Sequence, residues 1–251
     1  MHLFSPVDFM SSVDHGVVTY LNSFAHQSYW ADYFVVKLES ANWLKGGVLM
    51  TAYWWLWFRA PEDRAEPENR NPRDNLLYAL LICVPVVLIS RLMALLLPFR
   101  LRPIDNPQLH LKLAFVQNPA VLRSWSSFPS DHAALFFALA TGVYLTSRRL
   151  GWLMYLYTAV VIALPRVYLG IHYPSDILAG ALLGVVAGST VRIVALRRVI
   201  NWPAQRLLEC SPGLFYASLF QLSYQTIELY DPLRHVGLLA LKMLHIFVNR
   251  R

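Results

Sequence analysis

A chain of 251 residues that is 56% hydrophobic, only 15% charged and carries a formal net charge of +7 is too apolar for an ordinary soluble domain. Its mean hydropathy of +0.40 predicts an all-α polytopic membrane helix bundle, with about six transmembrane helices plus amphipathic interfacial helices. The basic residues cluster at the ends of apolar runs, which suits topology anchoring among membrane lipids and argues against nucleic acid as a partner.

Residues 6–42 mix Leu21, Phe24, Tyr33 and Phe34 with Asp14, Asp32 and Lys37, and predict one or two helices lying on the membrane surface. No cleaved signal peptide is read there. A first span follows over 43–58, with Trp43 at one end and Trp54, Trp55 and Trp57 at the other. After a charged loop at 59–75 comes a second span, 76–98, in which Pro85 is tolerable as a kink. The connection 99–129 is long and proline-containing, a length usual for functional or disordered segments. A third span starts at Ser130 and ends near Ser147; Arg148, Arg149 and Gly151 make a tight turn; a fourth covers 152–165. The fifth, 174–196, carries Gly180, Gly184 and Gly188 as a small-residue face. Residues 212–230 span the membrane or lie in its interface, and 233–249 read as amphipathic. Cys83 and Cys210 form neither a metal spacing nor a disulfide framework. The expected organisation is an interfacial segment over 1–42, a transmembrane core over 43–199 and a helical C-terminal segment over 200–251.

Lys/Arg counting sets the orientation. Arg59, Arg64, Arg70 and Arg73, the Arg148–Arg149 turn, and Arg192, Arg197, Arg198 and Arg206 fall on one side, read as cytoplasmic. Residues 99–129 and 166–173 then face outward.

That outer side holds three polar stretches: Arg102-Pro103, Pro129-Ser130-Asp131-His132, and Arg166 with His172 and Asp176. Ionisable groups in so apolar a chain read as a functional site by default. Pro174 suits a first helical position, which puts Asp176 in the first turn. Four residues from His172, its carboxylate can accept Nδ1–H and leave Nε2 as a free nucleophile. The plainer alternative is a capping aspartate beside a satisfied interfacial histidine. Ser130 suits an N-cap, and free N–H groups at such an end bind anions. Its hydroxyl can donate to a phosphate oxygen, and His132 can protonate a leaving oxygen. A phosphate repels Asp131, whose side chain is expected to point away or to bond other backbone donors. Arg102 offers a planar fork for phosphate oxygens.

The order and spacing of these stretches resemble the type 2 phosphatidic acid phosphatase superfamily, with its motifs Lys-x6-Arg-Pro, Pro-Ser-Gly-His and Ser-Arg-x5-His-x3-Asp. The resemblance covers about residues 75–195. It implies an integral-membrane lipid phosphate phosphatase in which His172 is the nucleophile, Asp176 its orienting partner and His132 the general acid. Arg102, Ser130 and Arg166 would hold the phosphate. No cofactor is implied, and the absence of a carboxylate cluster predicts metal independence. Three positions depart from the pattern. Leu95 stands where the first-motif lysine falls; Arg91, one helical turn earlier, is the candidate replacement, with Arg100 and Lys112 as rivals. Asp131 replaces the glycine, giving the Phe-Pro-Ser-Asp-His of bacitracin-resistance-type undecaprenyl-diphosphatases. Pro165 replaces the serine that opens the third motif. The expected substrate is a polyprenyl diphosphate, met at the outer face of a bacterial inner membrane. Another lipid phosphate, or lipid-to-lipid phosphotransfer, is the alternative. A transporter or a scaffold is the reading of a different class, and no internal repeat favours the former.

Overall fold

The computed structural model describes residues 6–59, 72–118 and 125–231, with side chains from residue 11 onward. The predicted helix at 233–249 and most of the charged loop 59–75 lie outside the described residues. Among the described residues the framework is entirely helical. The amphipathic segment forms two helices, α1 (Pro6–Asn22) and α2 (Tyr29–Ser40), the second capped by Ser28 accepting from the Ala31 N–H. A π turn, Trp43–Gly47, leads into α3 (Val48–Arg59), and α4 (Pro72–Leu96) follows with Pro85 inside it. In the connection after α4, the described residues 97–118 and 125–130 are irregular apart from one short 3₁₀ turn, Pro103–Asp105.

The next helix, α5 (Asp131–Thr146), starts behind Ser130 as its N-cap chemistry dictates, the Ser130 hydroxyl accepting from Ala133. The predicted fourth span is α6 (Arg148–Tyr157), a π turn at Thr158–Ala163 and α7 (Leu164–Tyr168) in succession. The π turn has a local cause. Pro165 has no N–H to continue the ladder, and just before it the Leu164 N–H reaches back to the Ala159 carbonyl. Pro174 opens α8 (Pro174–Ser189). The sequence ran this span to 196, but the helix tightens into a 3₁₀ turn at Thr190–Arg192 and Ile193 is extended. A separate amphipathic helix, α9 (Val194–Cys210), begins there, and α10 (Pro212–Ile227) completes the described framework.

Among the described residues, three stretches are long and apolar enough to cross a membrane: Pro72–Leu96, Arg148–Tyr168 and Pro174–Arg192. The shorter α5 is enclosed by its neighbours, with Leu135, Phe136, Leu139, Ala140 and Val143 fully buried. Lipid tails are as apolar as leucine, so such helices associate through close packing. The glycine face supplies it: a Cβ at Gly180 would lie 2.3 Å from the Ser130 carbonyl oxygen, and one at Gly184 2.2 Å from that of Ala134. On the opposite side of α8, Leu178, Leu182 and Val186 are exposed, as a lipid-facing stripe requires. The alternating directions of α4, α5, α6–α7 and α8 gather Arg73, Arg148, Arg149 and Arg192 at one end of the bundle. His132, Arg166 and His172 gather at the other.

Candidate active site

Backbone hydrogen bonds join the three polar stretches. The last turn of α7 carries Arg166, whose carbonyl accepts the N–H groups of both Ile171 (2.8 Å) and His172 (3.2 Å). This tight reversal passes through Gly170 at φ +66°, a conformation that glycine adopts without steric cost. The Gly170 carbonyl accepts from Ile104 (2.9 Å), and Arg102 Nη1 donates to the Ile171 carbonyl (2.9 Å), which fixes the first stretch against the third. The Ser130 N–H donates to the Asp176 carbonyl (3.1 Å), which fixes the second.

Arg91, Arg102, Asp131, His132, Arg166 and His172 line a single cavity of about 180 Å³. His172 is 3% exposed and Arg166 4%. Burial pushes the His172 imidazole below its ordinary value, and the guanidinium groups of Arg166 and Arg102 push the same way against the pull of Asp176. Burial also lowers Arg102, to about 10, which leaves it protonated at neutral pH. Two buried donors at this wall, Arg166 Nε and Ser90 Oγ, have no hydrogen-bond partner among the described residues. Buried polar atoms are rarely left so, and oxygens of a bound anion would satisfy both.

Several expected details differ. Asp176 was expected to take the Nδ1–H of His172. Instead Nδ1 lies 2.8 Å from the Ser127 carbonyl, and the nearer Asp176 oxygen is 3.6 Å away. A carbonyl only accepts, so the proton of the neutral ring is on Nδ1 and the lone pair on Nε2. Asp176 is occupied elsewhere: it accepts from the Tyr173 N–H (2.8 Å) and from Arg100 Nη1 (2.5 Å). Arg100, in turn, bonds Asp14 of α1 (2.7 Å) and sits over the Tyr173 ring. Arg100 therefore buttresses Asp176 from behind and is off the cavity wall, and Lys112 is exposed on the loop. Of the three replacements weighed for the missing lysine, only Arg91 lines the cavity. It donates to the Leu229 carbonyl (3.0 Å) and lies 3.6 Å from Asp131. Leu95 itself is 70% exposed.

Asp131 does accept a backbone donor, the His132 N–H (2.8 Å), yet it does not turn away: the same oxygen meets His132 Nδ1 at 2.9 Å on the cavity wall. Ser130 is fully buried behind that wall as a helix cap. The sequence reading missed Ser90, Lys45 and Glu39. Glu39 reaches in from α2 to accept from Arg166 (3.1 Å). Burial pushes the Glu39 carboxyl up, but Arg166 and Lys45 outweigh it and hold it below the ordinary carboxylate value. A lysine inside the first apolar span was the one legible signal among these three.

An all-helical membrane protein with a cationic, histidine-bearing cavity at one end of its bundle is the class these features define. Residues 75–199 match the model of the PAP2 superfamily, and the chain belongs to that superfamily. It is 45% identical over 62 residues to the bacitracin transport permease protein BcrC of Bacillus licheniformis, covering 25% of this chain and 30% of that protein. It is 40% identical over 68 residues to the putative undecaprenyl-diphosphatase YbjG of Escherichia coli (strain K12), covering 27% and 34% respectively. These matches span about a third of the length of either relative. Among solved structures, Aquifex aeolicus LpxE aligns with a TM-score of 0.48 and 22% identity, over 70% of this chain and 92% of that one.

Proposed function

We propose that the protein is a lipid phosphatase that hydrolyses a polyprenyl diphosphate to the monophosphate and inorganic phosphate. The observation that carries this reading is the convergence of both histidines and three arginines on one small cavity. His172 Nε2 attacks the terminal phosphorus, held between Arg102 and Arg166, and a nitrogen–phosphorus bond forms as the bridging oxygen–phosphorus bond breaks. The electron pair leaves with the lipid monophosphate, and His132 passes a proton from Nε2 to that oxygen. That proton is taken up with the bound diphosphate, whose negative charge offsets the burial and the Arg166 cation that otherwise keep the ring neutral. Water then attacks the phosphohistidine, its proton passes to His132, and phosphate departs. Placement and charge neutralisation supply most of the catalysis. The diphosphate is favoured by its leaving group, whose second pKa of about 6 asks little of an acid, and by the name that YbjG carries. The basic end of the bundle lies in the cytoplasm on this reading, so the cavity opens to the periplasmic side of a bacterial inner membrane.

The test is phosphate release from a panel of lipid monophosphates and diphosphates by the detergent-purified chain, without added metal. Farnesyl diphosphate is expected to turn over fastest. A clear preference for phosphatidic acid would replace the diphosphate reading with a monoesterase. His172→Ala is expected to abolish turnover and acid-labile phosphoenzyme while the melting temperature holds; retained turnover would remove His172 as nucleophile.

A further inference from the structure

Behind the cavity lies a second, larger hollow of about 540 Å³. Arg102, His132 and Arg166 line both, so the two share a wall, but Lys45 lines only the larger. Lys45 is 5% exposed. Among the described residues its ammonium has neither a hydrogen bond nor an ion pair. The charges acting on it are Arg166, Glu39, Asp131 and Glu228. Those carboxylates are engaged elsewhere: Glu39 with Arg166 (3.1 Å), Asp131 with His132 (2.9 Å) and Glu228 with Asn42 (2.7 Å). Asp231, on the same wall, lies 3.4 Å from Arg91. A lysine this buried, its ammonium facing an enclosed hollow without a paired anion, is costly, and a ligand that brings the anion removes that cost.

The lysine is also held in place. From the π turn its N–H donates back to the carbonyl of Ala41, the C-cap of α2 (3.1 Å). The adjacent Gly46 is pressed so closely on α10 that a Cβ would lie 2.7 Å from Ile227 Cα. Tyr157 donates to the Leu44 carbonyl on the other flank.

We propose that Lys45 binds the second phosphate of a lipid diphosphate, the one that leaves attached to the lipid. This rests on the diphosphate reading above. With the terminal phosphate in the smaller cavity, a group on the far side of the shared wall meets Lys45. The bridging oxygen then lies beside His132. As the bridge breaks, negative charge accumulates on the departing monophosphate, and Lys45 neutralises it. The missing first-motif cation is thus replaced in two places: Arg91 serves the attacked phosphate and Lys45 the leaving one. A lipid monophosphate gains nothing from Lys45.

The experiment measures binding of methylenediphosphonate and inorganic phosphate to the full chain by calorimetry, in wild type, Lys45→Met and Lys45→Arg. Wild type is expected to bind the diphosphonate more tightly than phosphate. Lys45→Met should weaken the diphosphonate by roughly tenfold or more, the worth of a charge-assisted hydrogen bond, and leave phosphate affinity unchanged. Lys45→Arg should restore part of the loss. Lys45→Met is isosteric and removes a buried charge, so its fold is expected to hold; a thermal melt checks this. Equal losses on both ligands, or no loss on either, would overturn the role of Lys45 while the diphosphate reading stood. Equal affinities in wild type would overturn the diphosphate reading and the second subsite with it.

Discussion

The α5–α8 pair and the α1–α2 shoulder both abut the same cavity region, but they are attached by opposite means. The α5–α8 pair meets through glycine and backbone: Gly180 and Gly184 admit the carbonyls of Ser130 and Ala134 at distances no other residue allows. The shoulder is attached through two buried carboxylates. Asp14 is 1% exposed and takes Arg100 and both the N–H and hydroxyl of Ser175. Asp32 is fully buried and accepts from the His26 N–H, the Phe115 N–H and the Tyr168 hydroxyl. A helix that is apolar all round can meet its neighbour only by shape, whereas an amphipathic one can be given a fixed position by hydrogen bonds.

That contrast predicts different failures. Gly184→Leu should separate α5 from α8, at a cost of about 3 kcal/mol or more, and carry His132 away from His172. Loss of both thermal stability and phosphate release is the expected result; a variant that melts and turns over like wild type would refute the close-packing account. Asp32→Ala leaves three donors unsatisfied and should cost about 2–3 kcal/mol. It is expected to loosen the shoulder, seen as faster proteolysis within residues 20–35, with turnover retained at low temperature. Asp14→Asn should act more gently, removing the charge opposite Arg100 and shifting the support of Asp176. A several-fold fall in kcat with KM little changed is expected, since neither residue lines the cavity; a change confined to KM would argue for direct contact with substrate.

The smallest effect concerns pH. On the proposed mechanism His172 attacks only when neutral, so activity is expected to fall as pH drops through its folded-state pKa, which lies below the ordinary value of about 6.5. Arg102→Gln removes a cation that disfavours the imidazolium. The acid limb of residual kcat/KM should then move to higher pH, and an unmoved limb would detach that titration from His172.

How far the sequence could be read follows from what each signal is made of. Ser130 and Pro174 mark the starts of α5 and α8 because capping chemistry and the missing proline N–H are local properties. The motif residues Arg102, His132, Arg166 and His172 could be read as a group because their chemistry is unusual in an apolar chain. The facing of helices is not local, so Lys45, Glu39 and Ser90 stayed unseen although each sits in a segment assigned as helical. Asp14 and Asp32 passed as punctuation in an interfacial segment because burial depends on what is laid over a residue. The end of α8 at Ser189 was missed because Thr190–Ile193 contains neither glycine nor proline to announce a break.

The hydrogen bond from His172 to the Ser127 carbonyl has a genetic consequence. Its acceptor is peptide, encoded at every codon alike, so no replacement at position 127 can delete it; only a rerouted loop would. Asp176 then acts on the path of the chain around the imidazole, through the Tyr173 N–H and Arg100, more than on the ring itself.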